Sequence, residues 1–215
     1  MNLPMLSKPI LALDTSAGAS VCLIQADGNV RSASMQTPRA HSRELLPLLD
    51  GLIQEAELTW QDLQAFAVGT GPGSFTGLRV ACATIAGINA SLKKPVYSLS
   101  SLVITARQAG DINQPFWAIE DARSGLVYAA QFEAGVCVSP PQCLTWQYFL
   151  ALNPQAYIAL SDIDVDLQGA EKLPVVCSRE LALITSVQDL DGREHHALWV
   201  EPIYLQVSQA EKNLA

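Results

Sequence analysis

The chain has 215 residues, with 13 Lys and Arg against 21 Asp and Glu, for a net charge of −8. Only 16% of its residues are charged and 49% are hydrophobic, where an ordinary soluble protein is about 25% charged. This length can bury a substantial core as one large domain or two small ones, and an acidic chain without a basic run argues against a direct grip on nucleic acid.

Apolarity with few charges also raises the question of a membrane span, which needs about 20 predominantly apolar residues. The best stretch, Val80 to Leu92, is broken by Thr84, Gly87, Asn89 and Ser91 and followed by Lys93-Lys94. It is too short and too polar to span. Met1 to Ile10 carries Lys8 and no apolar run with a cleavage site, so no signal peptide is expected. Cys22, Cys82, Cys137, Cys143 and Cys177 are widely spaced without a C-x-x-C pair, and read as buried thiols of a reducing cytoplasm. A cytoplasmic globular protein with no membrane association is expected, part of whose poorly charged surface faces a partner.

In chain order, Ile10-Leu11-Ala12-Leu13 is an apolar run stopped by Asp14-Thr15-Ser16, which suits a buried strand ending in a polar turn. Ser20 to Ile24 is a second strand, Asp27-Gly28 a hairpin turn, and Val30 to Met35 a third strand. Leu45, Leu48, Leu49, Leu52, Ile53 and Ala56 then recur at helical intervals, and Pro47 should bend any helix that begins as early as His41. Thr59 and Asp62 read as a capping box for a short turn, and Ala65 to Val68 as a strand. A long helix is predicted from about Thr76 to Ser91, ended by Lys93-Lys94-Pro95, with a strand over Val96 to Leu99. Hairpins followed by crossovers give a mixed sheet with helices packed on it.

The second half is less sharply patterned. Helices are predicted at Ser101 to Gln108, Thr145 to Leu152 and Arg179 to Val187, and strands at Phe116 to Ile119, Leu126 to Phe132 and Tyr157 to Leu160. Ser139-Pro140-Pro141 reads as a connector. The chain divides into an N-terminal lobe over residues 1–100 and a smaller α/β lobe over 101–215.

Among the motifs, Gly71-Pro72-Gly73-Ser74-Phe75-Thr76-Gly77-Leu78-Arg79 is the sharpest. It joins a strand to a helix, where bare N–H groups and the helix dipole favour an anion; equally, its glycines could serve a tight packed turn. It is neither a P-loop nor a G-x-G-x-x-G turn. Asp14-Thr15-Ser16 is open to two readings, a metal or phosphate holder and an Asx turn. Asp162 to Asp166 imitates a calcium loop but has Leu167 and Leu173 where Gly and Glu are required. His41 has Leu45 four residues on, and His195 and His196 are adjacent, so no metal-gripping histidine pair is present. From Gly71 to Leu92 the only charge is Arg79, and Ala83, Gly87 and Ala90 form a stripe of small residues that would let a neighbouring helix approach.

Ile10 to Ser16, His41-Ser42-Arg43-Glu44-Leu45-Leu46-Pro47, Gly71 to Arg79, Asp121 to Tyr128 and Pro202-Ile203-Tyr204-Leu205 closely resemble the TsaB (YeaZ) family. The resemblance is strong over the first hundred residues and thin between Gly135 and Glu201; Gln206 stands where many relatives carry Arg. It implies the actin/sugar-kinase/Hsp70-like fold with a shortened second lobe. It also implies a non-catalytic role in forming threonylcarbamoyladenosine on tRNA. In that pathway the larger paralogue TsaD transfers the carbamoyl group, the ATPase TsaE joins the complex, and tRNA is met only through it. The resemblance further implies a homodimer through the same face when TsaD is absent.

The candidate partner face is therefore Leu45, Leu48, Leu49 and Leu52 with Arg79, Val80, Ala83, Gly87 and Ala90. Asp14, Thr15, Ser16, Gly71 and Gly73 are the candidates for contact with ATP or ADP at the interface with TsaD, with no cofactor of the chain's own. No catalytic residue and no metal ligand is expected. The alternatives are an ATP-dependent phosphotransferase or ATPase built on Asp14 and the Gly71 to Thr76 loop, and a glycoprotease-like peptidase, which the absent histidine pair disfavours.

Overall fold

A computed structural model describes residues 9–35, 41–159, 161–188, 190 and 198–205. His195, His196 and Gln206 lie outside the described residues. The first lobe runs β1 (Ile10–Asp14), β2 (Ala19–Ile24), β3 (Val30–Met35), α1 (His41–Glu55), β4 (Ala65–Gly71), α2 (Phe75–Leu92) and β5 (Val96–Ser100). Its sheet has the order β3-β2-β1-β4-β5, with the β1–β2 and β2–β3 pairs antiparallel and the β1–β4 and β4–β5 pairs parallel. Every residue of β1 and β4 is buried, as an apolar run covered on both faces requires.

Helix α3 (Ser101–Arg107) leads to β6 (Phe116–Arg123), β7 (Leu126–Glu133), β8 (Val136–Thr145), α4 (Trp146–Ala151), β9 (Ala156–Ala159) and β10 (Glu171–Lys172), and α5 (Arg179–Gln188) follows. The second sheet reads β8-β7-β6-β9-β10, with the same antiparallel and parallel pairs in the same places as the first. The two lobes thus repeat one topology. Residues 161–170, between β9 and β10, form a loop where the first lobe has α2, which shortens the second lobe. This doubled arrangement is the actin/sugar-kinase/Hsp70-like fold.

Alternation along the strands sorts the side chains into layers. Leu11 and Leu13 of β1 pack with Leu45, Leu49, Leu52 and Ile53 of α1 and with Ala81 and Ile85 of α2. Ile10 and Ala12 face the other way, onto Ala182, Leu183 and Val187 of α5 and Ile104 of α3. Leu102 and Ala106 of α3 pack on Ala118 of β6 and Ala130 of β7, and Trp117 and Ile119 turn outward beneath Phe149 of α4. Helices α3 and α5 therefore fill the layer between the sheets. Each Leu or Ile buried there contributes about 1.5–3 kcal/mol.

Several details depart from the sequence expectation. Helix α1 does begin at His41 and runs through Pro47. Pro47 and Arg43 are both exposed, so water can satisfy the Arg43 carbonyl that the missing Pro47 N–H would have met. Ser139-Pro140-Pro141 lies inside β8 and is not a connector. β8 is an edge strand, and its register with β7 shifts between Ala129–Gln142 and Gln131–Ser139, so the prolines sit in an irregularity where no donor is needed. The cysteines are free, but only Cys22 and Cys82 are buried and Cys137 is exposed.

Other expectations hold. Thr59 and Asp62 form the capping box. Ser74 caps α2 by accepting from the Gly77 N–H at 3.2 Å, and Lys93 ends it in the left-handed conformation. Against the reading of Val80 to Leu92 as too short and too polar, α2 is by length and composition able to cross a membrane, alone among the described residues; Leu78, Ala81, Cys82 and Ile85 pack it onto the first lobe.

Candidate functional site

Asp14 closes β1 on the face that looks into the layer between the lobes. It is fully buried, and both carboxylate oxygens are engaged. Oδ1 accepts from Ser101 Oγ at 2.6 Å, and Oδ2 accepts from Ser16 Oγ at 2.8 Å. Arg179 completes the cluster, donating from Nε at 2.8 Å and Nη2 at 2.6 Å to the same Oδ2. Its remaining donors reach Ser16 Oγ, Thr105 Oγ1 and Gln108 Oε1 at 2.8, 3.1 and 3.2 Å. A cation in the first turn of a helix opposes the helix dipole; Arg179 opens α5, and the buried carboxylate offsets that cost.

Glu120 faces the same layer from the second lobe. Strand register makes it the counterpart of Asp14: Leu11-Ala12-Leu13-Asp14 in β1 corresponds to Trp117-Ala118-Ile119-Glu120 in β6. Burial pushes its carboxyl up to about 8, against the attraction of Arg179 and with the repulsion of Asp14 and Asp121. It is therefore protonated at neutral pH. Its Oε2, with Thr15 Oγ1 and Ser100 Oγ, is buried and has no hydrogen-bond partner among the described residues.

The glycine-rich turn packs against the same strand end. Gly71 has φ +109° and opens the turn after β4. A Cβ on Gly73 would stand 2.4 Å from Ser16 Cβ, and one on Gly77 would stand 2.2 Å from the Thr15 carbonyl oxygen. The Ser74 N–H donates to the Ser16 carbonyl at 2.8 Å. Asp14, Thr15, Ser16, Gly71 and Gly73 are thus brought together, as a nucleotide site would need. The turn's close approach serves packing, and a phosphate reaching Asp14 would have to displace Arg179. These residues do not fit a nucleotide in this arrangement. Among the described residues no group of three His, Cys, Asp or Glu could hold a metal ion.

The Asp121-Ala122-Arg123 segment ends β6 and leads into the Ser124-Gly125 turn. Arg123, Ser124 and Gly125 all have positive φ, which the tight β6–β7 hairpin requires, and Asp121 accepts from the Arg123 N–H at 2.9 Å.

The second candidate region is the outer face of α1 and α2. Leu45, Leu49 and Leu52 do not belong to it: they are at most 4% exposed and pack on the first sheet, because the apolar stripe of an amphipathic helix covers its own core first. Leu48 and Val80 are half-buried, and Arg79, Ala83, Gly87 and Ala90 are exposed. Leu46, 51% exposed, joins them from α1. Arg79 is held above the Phe75 ring at 3.8 Å and donates to the Tyr204 hydroxyl at 2.8 Å. The strap over 198–205 runs back along α2, tied at its far end by Asn89, whose side-chain N–H groups reach the Lys94 and Leu198 carbonyls at 2.8 Å.

A family model described as TsaD, tRNA N6-adenosine threonylcarbamoyltransferase, matches residues 34–140. The tRNA threonylcarbamoyladenosine biosynthesis protein TsaB of Escherichia coli is 28% identical, covering 95% of this chain and 97% of that protein. The chain is similar to the TsaB (YeaZ) family over nearly its whole length. The Haemophilus influenzae TsaB is 33% identical over 57% of this chain and 52% of its own length. The structure of YeaZ from Pseudomonas aeruginosa superposes with a TM-score of 0.68 at 25% identity, over 93% of this chain and all of that one. The family-model match takes in α1, α2 and Glu120 and leaves out Asp14 and Arg179.

Arg179 and Glu120 were not singled out from the sequence. The signal for Glu120 was the repeated pattern of aliphatic or aromatic residue, Ala, aliphatic residue and acid. Arg179 has none, since its partner is 165 residues away.

Proposed function

We propose that this chain is the non-catalytic subunit that binds and activates TsaD in the cytoplasmic formation of threonylcarbamoyladenosine on tRNA, in a complex that TsaE joins. The observation that carries this reading is the outward face of α2. Beyond the single charge of Arg79, the residues Ala83, Gly87 and Ala90 present a stripe of small side chains to solvent, on a helix whose other side is already spent on the core. A standard interface buries about 800 Å² on each partner, and the reading requires the outer faces of α1 and α2 to supply it. The same face would pair two copies of the chain when TsaD is absent.

The interlobe layer supports the accessory role. The engagement of Asp14 by Arg179, Ser16 and Ser101 supports a reading in which any ATP or ADP in the complex is bound mainly by its partners. The net charge of −8 fits a subunit that meets tRNA only through them.

Reconstitution tests the reading. A mixture of TsaD, TsaE, the enzyme that makes threonylcarbamoyl-AMP and unmodified tRNA should form the modified nucleoside only when this chain is added. Equal yield without it would refute the role.

A further inference from the structure

Helix α4 has six residues and covers one end of the outer face of the second sheet. Beside it opens a cavity of about 350 Å³, lined among others by Trp117, Gln131, Gln142, Leu144, Tyr148 and Gln155. Small-molecule sites span about 300–1,000 Å³. In this cavity no Asp, Glu, Lys or Arg is present among the lining residues.

Its polar groups are incompletely used. The Trp117 indole N–H, the Gln131 carboxamide and the Tyr148 hydroxyl make no hydrogen bond among the described residues. Gln142 and Gln155 spend one donor each, on Ser139 Oγ at 3.0 Å and the Asn153 carbonyl at 2.9 Å, which leaves their amide oxygens. Phe149 holds the Trp117 ring edge-on at 5.3 Å, and Tyr148 is 58% exposed.

We propose that this cup binds a small uncharged ring ligand whose edge both donates and accepts hydrogen bonds, supplied by an adenine-type base or a neutral sugar. A charged ligand would lose hydration there with no counter-charge to replace it. Carboxamides donate and accept side by side, which matches such an edge. Among bases, Gln pairs with adenine, whereas guanine is read by Arg or Lys and cytosine by Asp or Glu, none of which lines the cup. A sugar ring offers the same mixed edge through its hydroxyls. Strand alternation turns Trp117 away from Glu120 and from the interlobe layer, so the site goes beyond the TsaD-binding reading and does not depend on it.

The test is titration of the 15N-labelled full chain with adenosine and, separately, with methyl glucoside, following the Trp117 indole signal assigned through Trp117→Phe. One of the two should shift it saturably at millimolar concentration while Trp60 and Trp199 stay still. Gln131→Leu and Tyr148→Ala, each checked for a native spectrum, should weaken binding about tenfold or more, the scale of one lost contact. AMP should bind no more tightly than adenosine. A Trp117 signal that moves with neither neutral ligand, binding unchanged in both variants, or clearly tighter AMP binding would overturn the proposal.

Discussion

Glu120 gives the interlobe layer a measurable signature. Its carboxyl is pushed from an ordinary 4.5 up to about 8 by burial, so the folded chain holds a proton that the unfolded chain releases. The stabilisation is complete below the unfolded value and is lost as pH rises through the folded one. Each pH unit between them removes about 1.4 kcal/mol. Raising the pH from about 5 to about 8 therefore costs about 4 kcal/mol, or about 8–16 °C in melting temperature for a chain of this size. Glu120→Gln keeps the shape and removes the titration. Thermal melts of both proteins across that range are the assay, since every other titrating group is common to the pair. The wild-type curve should fall toward alkaline pH relative to the variant. Curves that run parallel within about 2 °C, the smallest shift expected from 1 kcal/mol, would show that Glu120 is ionised in the folded state and refute the reasoning.

Two further outcomes follow from the same packing. Arg179→Met leaves the Asp14 carboxylate buried and unpaired and should cost about 3–5 kcal/mol in urea unfolding, with the Asp14→Asn, Arg179→Met double variant losing clearly less than the sum; additive losses would contradict a direct pair. With a thiol-specific reagent at about pH 8, the exposed Cys137, whose thiol partial burial pushes up, should react slowly in the native protein. Cys22 and Cys82, pushed up to about 12 and about 11 by burial, should react only on unfolding, and prompt labelling of either would contradict their placement.

Much of the first lobe was legible because its signals are local. An apolar run stopped by Asp14, the Asp27-Gly28 turn and the Ser74 cap of α2 each specify structure within a few residues. What periodicity could not say is which surface an apolar stripe covers. Leu45, Leu49 and Leu52 have the spacing of a partner face and of a core face alike, and the sheet beneath them takes the stripe. Pro140-Pro141 misled for a related reason: proline excludes a central strand, and only the sheet order shows that β8 is an edge. The interlobe cluster was half legible. Asp14 stands out at the end of an apolar strand, but Arg179 reaches it across almost the whole chain.

The doubled strand order also explains why this cluster and the partner face are separable. One side of the first sheet carries α1 and α2 toward solvent, and the other carries α3 and α5 toward the second lobe. A change on the outer surface of α2 therefore need not reach Asp14.

Gly87→Arg uses that separation. A Cβ at Gly87 meets nothing within 4 Å, and replacing an exposed helical glycine favours the helix by about 1 kcal/mol, so the monomer should fold and melt at least as high as the wild type. The decisive measurement is the affinity of this folded variant for TsaD, taken together with tRNA modification in the reconstituted mixture. The account expects both to be lost. Wild-type affinity and full modification with Arg at position 87 would contradict it.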